Sequence, residues 1–289
     1  MYKPVFALCV GVIAGGMLVT PSMGWATEEP KADTPIHTFT PNIALVNNYI
    51  FRGLTQTWNR PALQGGIDYN HADGWYASLW GSNVSDRYIA DGSLEVDLSA
   101  GFNGKFPHSD WSWTAGIASA FYPGANYNKV VPTVAINGDQ SYTNMELNAG
   151  VGYKWISLKI STSVTDYFGA NTRNGYSSDT KWSTYTDLTA TIPLPEETFG
   201  TNVTLPLHVG HTNYTASLAA PAPSGGINPD YNDFKIGITK GFDPGWSLSL
   251  AATHADNGRV YDHTLSLKDP ADSRNLGGTH FVISVAKTF

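Results

Sequence analysis

Apolar and polar residues alternate with period two along most of this chain. The alternation is cleanest between Ser93 and Phe106. There Leu94, Val96, Leu98, Ala100, Phe102 and Phe106 share one parity, while Glu95, Asp97, Ser99, Asn103 and Lys105 share the other. Successive side chains of a strand point to opposite faces, so this stretch predicts a strand with one apolar and one polar face. Similar patterns predict strands over Asn42–Leu54, Ala62–His71, Trp75–Ser85, Trp111–Tyr122, Tyr142–Trp155, Ile156–Phe168, Trp182–Leu194, Asn202–Tyr214, Tyr231–Phe242, Trp246–Asp256 and Gly278–Phe289.

Periodicity does not say whether the apolar faces meet one another, as in a soluble sandwich, or meet lipid. The connections discriminate. Beginning after the first strand, odd connections are long and even ones are short turns, such as Ala72-Asp73-Gly74 and Asp243-Pro244-Gly245. Pro123–Gln140, Thr215–Pro229 and Gly258–Leu276 are long for a compact soluble domain. Strict alternation of long and short connections follows from short periplasmic turns and long outer loops. The expected fold is all-β: a transmembrane antiparallel up-and-down barrel of about twelve strands with periplasmic termini.

Composition agrees. Charged residues are 14% of the 289, against about 25% in a typical soluble domain. Aromatic residues are 12%, which suits aromatic rims on an apolar wall. The net charge of -7 argues against a nucleic-acid partner, which favours a basic patch. Lys3, the apolar run Val5–Val19 and the small-x-small site Gly24-Trp25-Ala26 predict a cleaved signal peptide over residues 1–26. Residues 27–41 then read as a polar periplasmic lead-in, and 42–289 as the barrel. The one cysteine, Cys9, falls inside the signal. No later run is apolar enough for a transmembrane helix, so a membrane location requires a closed barrel.

Two resemblances sharpen this expectation. Phe281, Ile283, Val285 and the terminal Phe289 share a parity, which resembles the closing strand that assembly machinery reads in outer-membrane barrels. Lys287 departs from that pattern and would snorkel to the rim. Asn47–Gln56 (NNYIFRGLTQ), Arg60–Tyr69 (RPALQGGIDY), Trp80–Val84 (WGSNV) and Leu94–Leu98 (LEVDL) together are similar to the proteobacterial TorF-type porin family, formerly a conserved domain of unknown function. The resemblance implies an outer-membrane barrel and names no substrate.

The inward parity supplies candidate pore-lining residues: Asp68, Glu95, Asp97, Glu146 and Asp187, with Arg52, Lys105, Lys154, Lys159 and Lys235. Mixed signs would set a transverse field across a narrow lumen, or would pair and seal it. Trp75, Trp111, Trp113, Trp155, Trp182 and Trp246 lie at strand ends and predict an interfacial girdle at the periplasmic rim. His254, in Thr253–Gly258, resembles part of a lipid A deacylase pattern, but Asp256 occupies the serine position and forms no acyl-enzyme. His211 near Asn213 is a weaker match of the same kind. Asp230, Asp233, Asp262, Asp269 and Asp272 lack calcium-loop spacing and read as solvated outer loops. The expected role is a channel for small hydrophilic solutes with no cofactor and no metal. The alternatives are a non-conducting structural or binding barrel acting through its outer loops, and a lipid-modifying enzyme. Expected partners are outer-membrane lipid and lipopolysaccharide, the barrel-assembly machinery and the solutes themselves.

Overall fold

The computed structural model describes residues 35–130, 139–219 and 226–289. The predicted signal peptide and the first part of the lead-in lie outside these residues. Twelve strands form the wall: β1 (His37–Val46), β2 (Ala62–His71), β3 (Trp75–Asn83), β4 (Leu94–Lys105), β5 (Trp111–Phe121), β6 (Asn144–Tyr153), β7 (Ile156–Ser163), β8 (Thr184–Pro193), β9 (Val203–Asn213), β10 (Tyr231–Phe242), β11 (Trp246–Ala255) and β12 (Gly278–Thr288). Each pairs antiparallel with its neighbours in sequence, and β1 closes on β12. The seam runs from Asn42 opposite Thr288 to Val46 opposite Ser284. These five pairs close the sheet into a barrel, the form that lets a strand wall stand in lipid.

Alternation sets the two faces as expected. Leu98 is 47% exposed, Ile236 55% and Phe281 74%, whereas Glu95 on the inner parity is 1% exposed. Apolar side chains cover the outside of every wall strand. A continuous apolar exterior around a closed barrel is a surface for acyl chains, and the barrel is transmembrane. Among the described residues no helix is long and apolar enough to cross a membrane.

The short turns lie at one end, together with the start of β1 and the end of β12. Their chemistry is local. Gly74 closes the β2–β3 turn at φ 98, where a Cβ would stand 2.3 Å from the Asn103 carbonyl oxygen. Only glycine fits both the left-handed backbone and that approach.

The beginning of the barrel differs from expectation. The wall starts at His37, inside the expected lead-in, and leaves at Val46 rather than Leu54. Thr38 to Asn42 pair with β2 despite Pro41, whose ring removes one amide donor from the ladder. The following residues turn into the barrel.

Candidate functional site

The stretch NNYIFRGLTQ builds an inward hairpin. Asn47 leaves the wall with its backbone amide bonded to the Ile283 carbonyl. Its side chain donates to the Phe281 carbonyl and accepts from the Ile283 amide, continuing the seam by side-chain means. Ile50–Phe51 then pairs with Leu54–Thr55 around Arg52 and Gly53. Both central residues have positive φ, 46° and 77°, the requirement of a two-residue hairpin turn of the mirror-image type. A side chain at Gly53 would place Cβ 2.6 Å from that of Asp233, so the tip is seated directly against β10. The base is tied by Thr55 N–H to the Leu276 carbonyl (2.9 Å) and by the Thr55 hydroxyl to Asn48 Oδ1 (2.5 Å). Tyr49 packs edge-on against the inward Trp80.

The hairpin crosses the lumen. It leaves between β1 and β2, and Arg52 meets β6 on the far wall. Its guanidinium donates to Glu146 Oε1 (2.9 Å) and Oε2 (2.7 Å), and also to the Tyr167 hydroxyl (2.9 Å). It lies 4.2 Å from the ring centroid of Tyr185 on β8. Such a bidentate pair combines charge with fixed orientation. Arg52 is therefore a luminal residue, as expected, but on an inserted hairpin rather than on the wall.

Six of the other expected pore-lining residues are wall residues that face inward. Glu95 and Asp97 lie on β4, Glu146 on β6, Lys159 on β7, Asp187 on β8 and Lys235 on β10. Asp68 also faces in, half-exposed, and accepts from Asn42 Nδ2 at 3.4 Å. In the ring of twelve, β10 stands six places from β4, so Lys235 is across the lumen from Glu95 and Asp97. Two expectations are corrected. Lys154 is in the two-residue β6–β7 turn at φ 51, facing Asp110 at 3.7 Å. Lys105 keeps the inner parity, but it ends β4 at the short-turn rim and is exposed. Alternation assigns a face and not a depth, which is why both were grouped with the lumen.

A second cluster forms around His208, which sits at the inward parity of β9. Its Nε2 is 2.8 Å from Asp233 Oδ1, and its Nδ1 is 3.6 Å from Asp187 and 3.0 Å from the Thr189 hydroxyl. The Tyr185 hydroxyl donates to Asp233 at 3.1 Å. Asp233 is thus a buried luminal group and not part of a solvated loop. Replacing His208 by alanine should leave two poorly partnered buried carboxylates and lower stability by about 1–3 kcal/mol. Unfolding in urea from detergent micelles measures this.

The described parts of the outer connections pack on one another at the mouth. Tyr127 stacks on Tyr142 at 4.0 Å and Tyr176 on Tyr214 at 6.0 Å, while Tyr231 meets Tyr261 edge-on. Burial raises the phenols of Tyr88 and Tyr176 and pushes that of Tyr142 up to about 12, so these rings are neutral at physiological pH. Asp272 accepts from Arg87 (2.5 Å) and from the Trp58 indole (3.0 Å), pinning one loop to another. Among the described residues no three acidic, histidine or cysteine side chains converge as ligands of one metal ion.

Trp75, Trp111, Trp113, Trp155 and Trp246 lie at the short-turn end and are exposed. Trp75 rests on Phe102 and Trp111 on Tyr153. Trp182 is corrected: it precedes β8 at the opposite, long-loop end. It follows a long connection, so its end of the strand belongs to the outer rim. Phe281, Ile283, Val285 and Phe289 are all exposed on the lipid-facing side. Lys287 bends to the Pro244 carbonyl and lies 5.6 Å from the Trp246 ring. His254 is on the outer face and contacts Thr279, and Asp256 binds Asn232 instead. His211, also exposed, contacts Asn232. None of these histidines faces a serine.

A KdgM porin in complex with disordered oligogalacturonate aligns with a TM-score of 0.47 and 8% identity, over 87% of this chain and 99% of that one. A NanC porin aligns with a TM-score of 0.47 and 10% identity, over 86% and 99%. The COG4313 outer membrane channel from Pseudomonas putida F1 aligns with a TM-score of 0.46 and 12% identity, over 91% and 100%. No curated protein matches the sequence. A family model described as "Bacterial protein of unknown function (Gcw_chp)" matches residues 29–289; its description carries neither a TorF designation nor a substrate. The inward hairpin and the charged lumen are therefore features of a member of the Gcw_chp family, to which this chain belongs.

Proposed function

We propose that the protein is an outer-membrane channel for small hydrophilic solutes, with its termini in the periplasm and its long loops outside. The carrying observation is a closed barrel, apolar outside, whose lumen holds charges of both signs around an inserted hairpin. Glu95 and Asp97 on one wall and Lys235 on the other create a field across the path. Such a field sorts solutes by charge where the lumen is narrow. The passage is selective rather than general, because Arg52, Tyr167, Tyr185 and the tyrosines of the mouth take up cross-section. Lipopolysaccharide would contact the outer half of the wall, and the exposed face ending in Phe289 would address the assembly machinery.

Purified protein in planar bilayers should show discrete conductance steps, small for a twelve-stranded barrel. A membrane that stays silent at all voltages would favour the second reading, a sealed barrel that binds through its loops. The tyrosine-packed mouth supports that alternative. Loop deletion is an unsuitable test between them, since Leu276 and Asp272 anchor the hairpin region.

A further inference from the structure

Glu95 and Asp97 stand two residues apart on the inner parity of β4. With Phe51, Arg52, Asn144 and Glu146 they line a small, partly open cavity of about 20 Å³ beside the hairpin. The other charges of this cavity are answered. Glu146 has Arg52, and Glu95 Oε1 accepts from the Tyr122 hydroxyl at 2.9 Å. Asp97 is not answered: both of its oxygens are buried without a hydrogen-bond partner, and so is Glu95 Oε2. Asp97 is 4% exposed. One guanidinium against three carboxylates leaves two formal negative charges in the lining.

A buried carboxylate without a partner is costly, and a bound cation offsets that cost. We propose that this cavity binds a small monovalent cation, an alkali ion or a primary ammonium group, between Asp97 and Glu95. The donor set fixes the class. It offers hard oxygen and no nitrogen or sulfur, which excludes soft transition metals. The three free carboxylate oxygens, both of Asp97 and Oε2 of Glu95, are at most half of the six to eight that calcium takes. Arg52 directs its bidentate bond to Glu146, and the Asp97 oxygens stay without a hydrogen bond. In placing this site on a permeation path the proposal rests on the channel reading; the binding itself does not need it.

The test uses full-length protein refolded in detergent, with sodium as the probe. The ²³Na NMR line should broaden on binding. Sodium affinity should fall roughly tenfold in Asp97→Asn and further in Glu95→Gln/Asp97→Asn, and Asp97→Glu should retain it. Displacement by potassium chloride identifies an alkali-ion site, and displacement by methylammonium chloride an ammonium site. Equal broadening in all variants, or broadening that neither competitor removes, overturns the proposal and leaves the two carboxyls as proton-bearing wall groups. Heat-modified migration on gels checks that each variant is folded, and Asp97→Glu controls for shape. Reversal potentials in a potassium chloride gradient separate the two readings. A silent wild type would sink the channel and leave the sodium result standing. Open channels with no sodium site would sink only this proposal.

Discussion

Arg52→Ala should release the hairpin from the far wall and raise single-channel conductance several-fold. Arg52 and Glu146 are both largely buried, at 9% and 8% side-chain exposure. Removing one partner of such a pair strands the other charge and costs about 3–5 kcal/mol. Apart from Arg52 the tip is held by packing alone, of Gly53 against Asp233 and of Phe51 against Phe168, and its paired segments are two residues each. A two-residue ladder is not stable by itself. The barrel wall, by contrast, does not depend on Arg52, so the variant should still fold and insert. Glu146→Gln in the same chain should recover most of the stability, because the stranded charge is gone, while the conductance stays high. Unchanged conductance in Arg52→Ala would show that the hairpin does not set the cross-section of the path.

Leu98→Arg should destabilise the membrane-folded state by about 2–4 kcal/mol, the cost of a cation on the lipid face near the bilayer centre. Leu98 lies in the middle of β4 and points outward. Phe106→Arg, just beyond the end of the same strand, should cost only about 0–1 kcal/mol, because the side chain reaches the headgroups. Denaturant titrations from phospholipid vesicles measure both. Equal effects at the two depths would contradict an apolar face that meets acyl chains.

Most of the wall was legible in the sequence for a simple reason. Each strand carries its own inside–outside alternation, and β2 and β10 have the expected limits of Ala62–His71 and Tyr231–Phe242. Glu95, Asp97, Glu146 and Asp187 followed from parity alone. His208 was equally legible, lying between the outward residues Leu207 and Val209, but it carries no formal charge and was passed over. The hairpin was not legible by alternation. Tyr49 to Thr55 keeps enough apolar residues to extend the first strand, and only Arg52-Gly53 hints at a two-residue turn. Arginine is an unusual choice there, because a side chain at positive φ is strained. Its contacts with Glu146 and Tyr167 explain its presence and become visible only once distant strands are side by side. The mouth was obscured for a related reason. Tyr127, Tyr176 and Tyr261 come from separate polar loops whose composition reads as solvated.

The hairpin also imposes an order on construction. It is encoded directly after the first strand, yet its tip needs Glu146, Tyr185 and Asp233, and its base needs Leu276 near the end of the chain. Contacts so distant along the chain form late, after the intervening segments have been placed. A molecule halted before its first and last strands meet would be an open trough with its obstruction still undocked. The inserted hairpin thus has its full set of contacts only when the ring is complete.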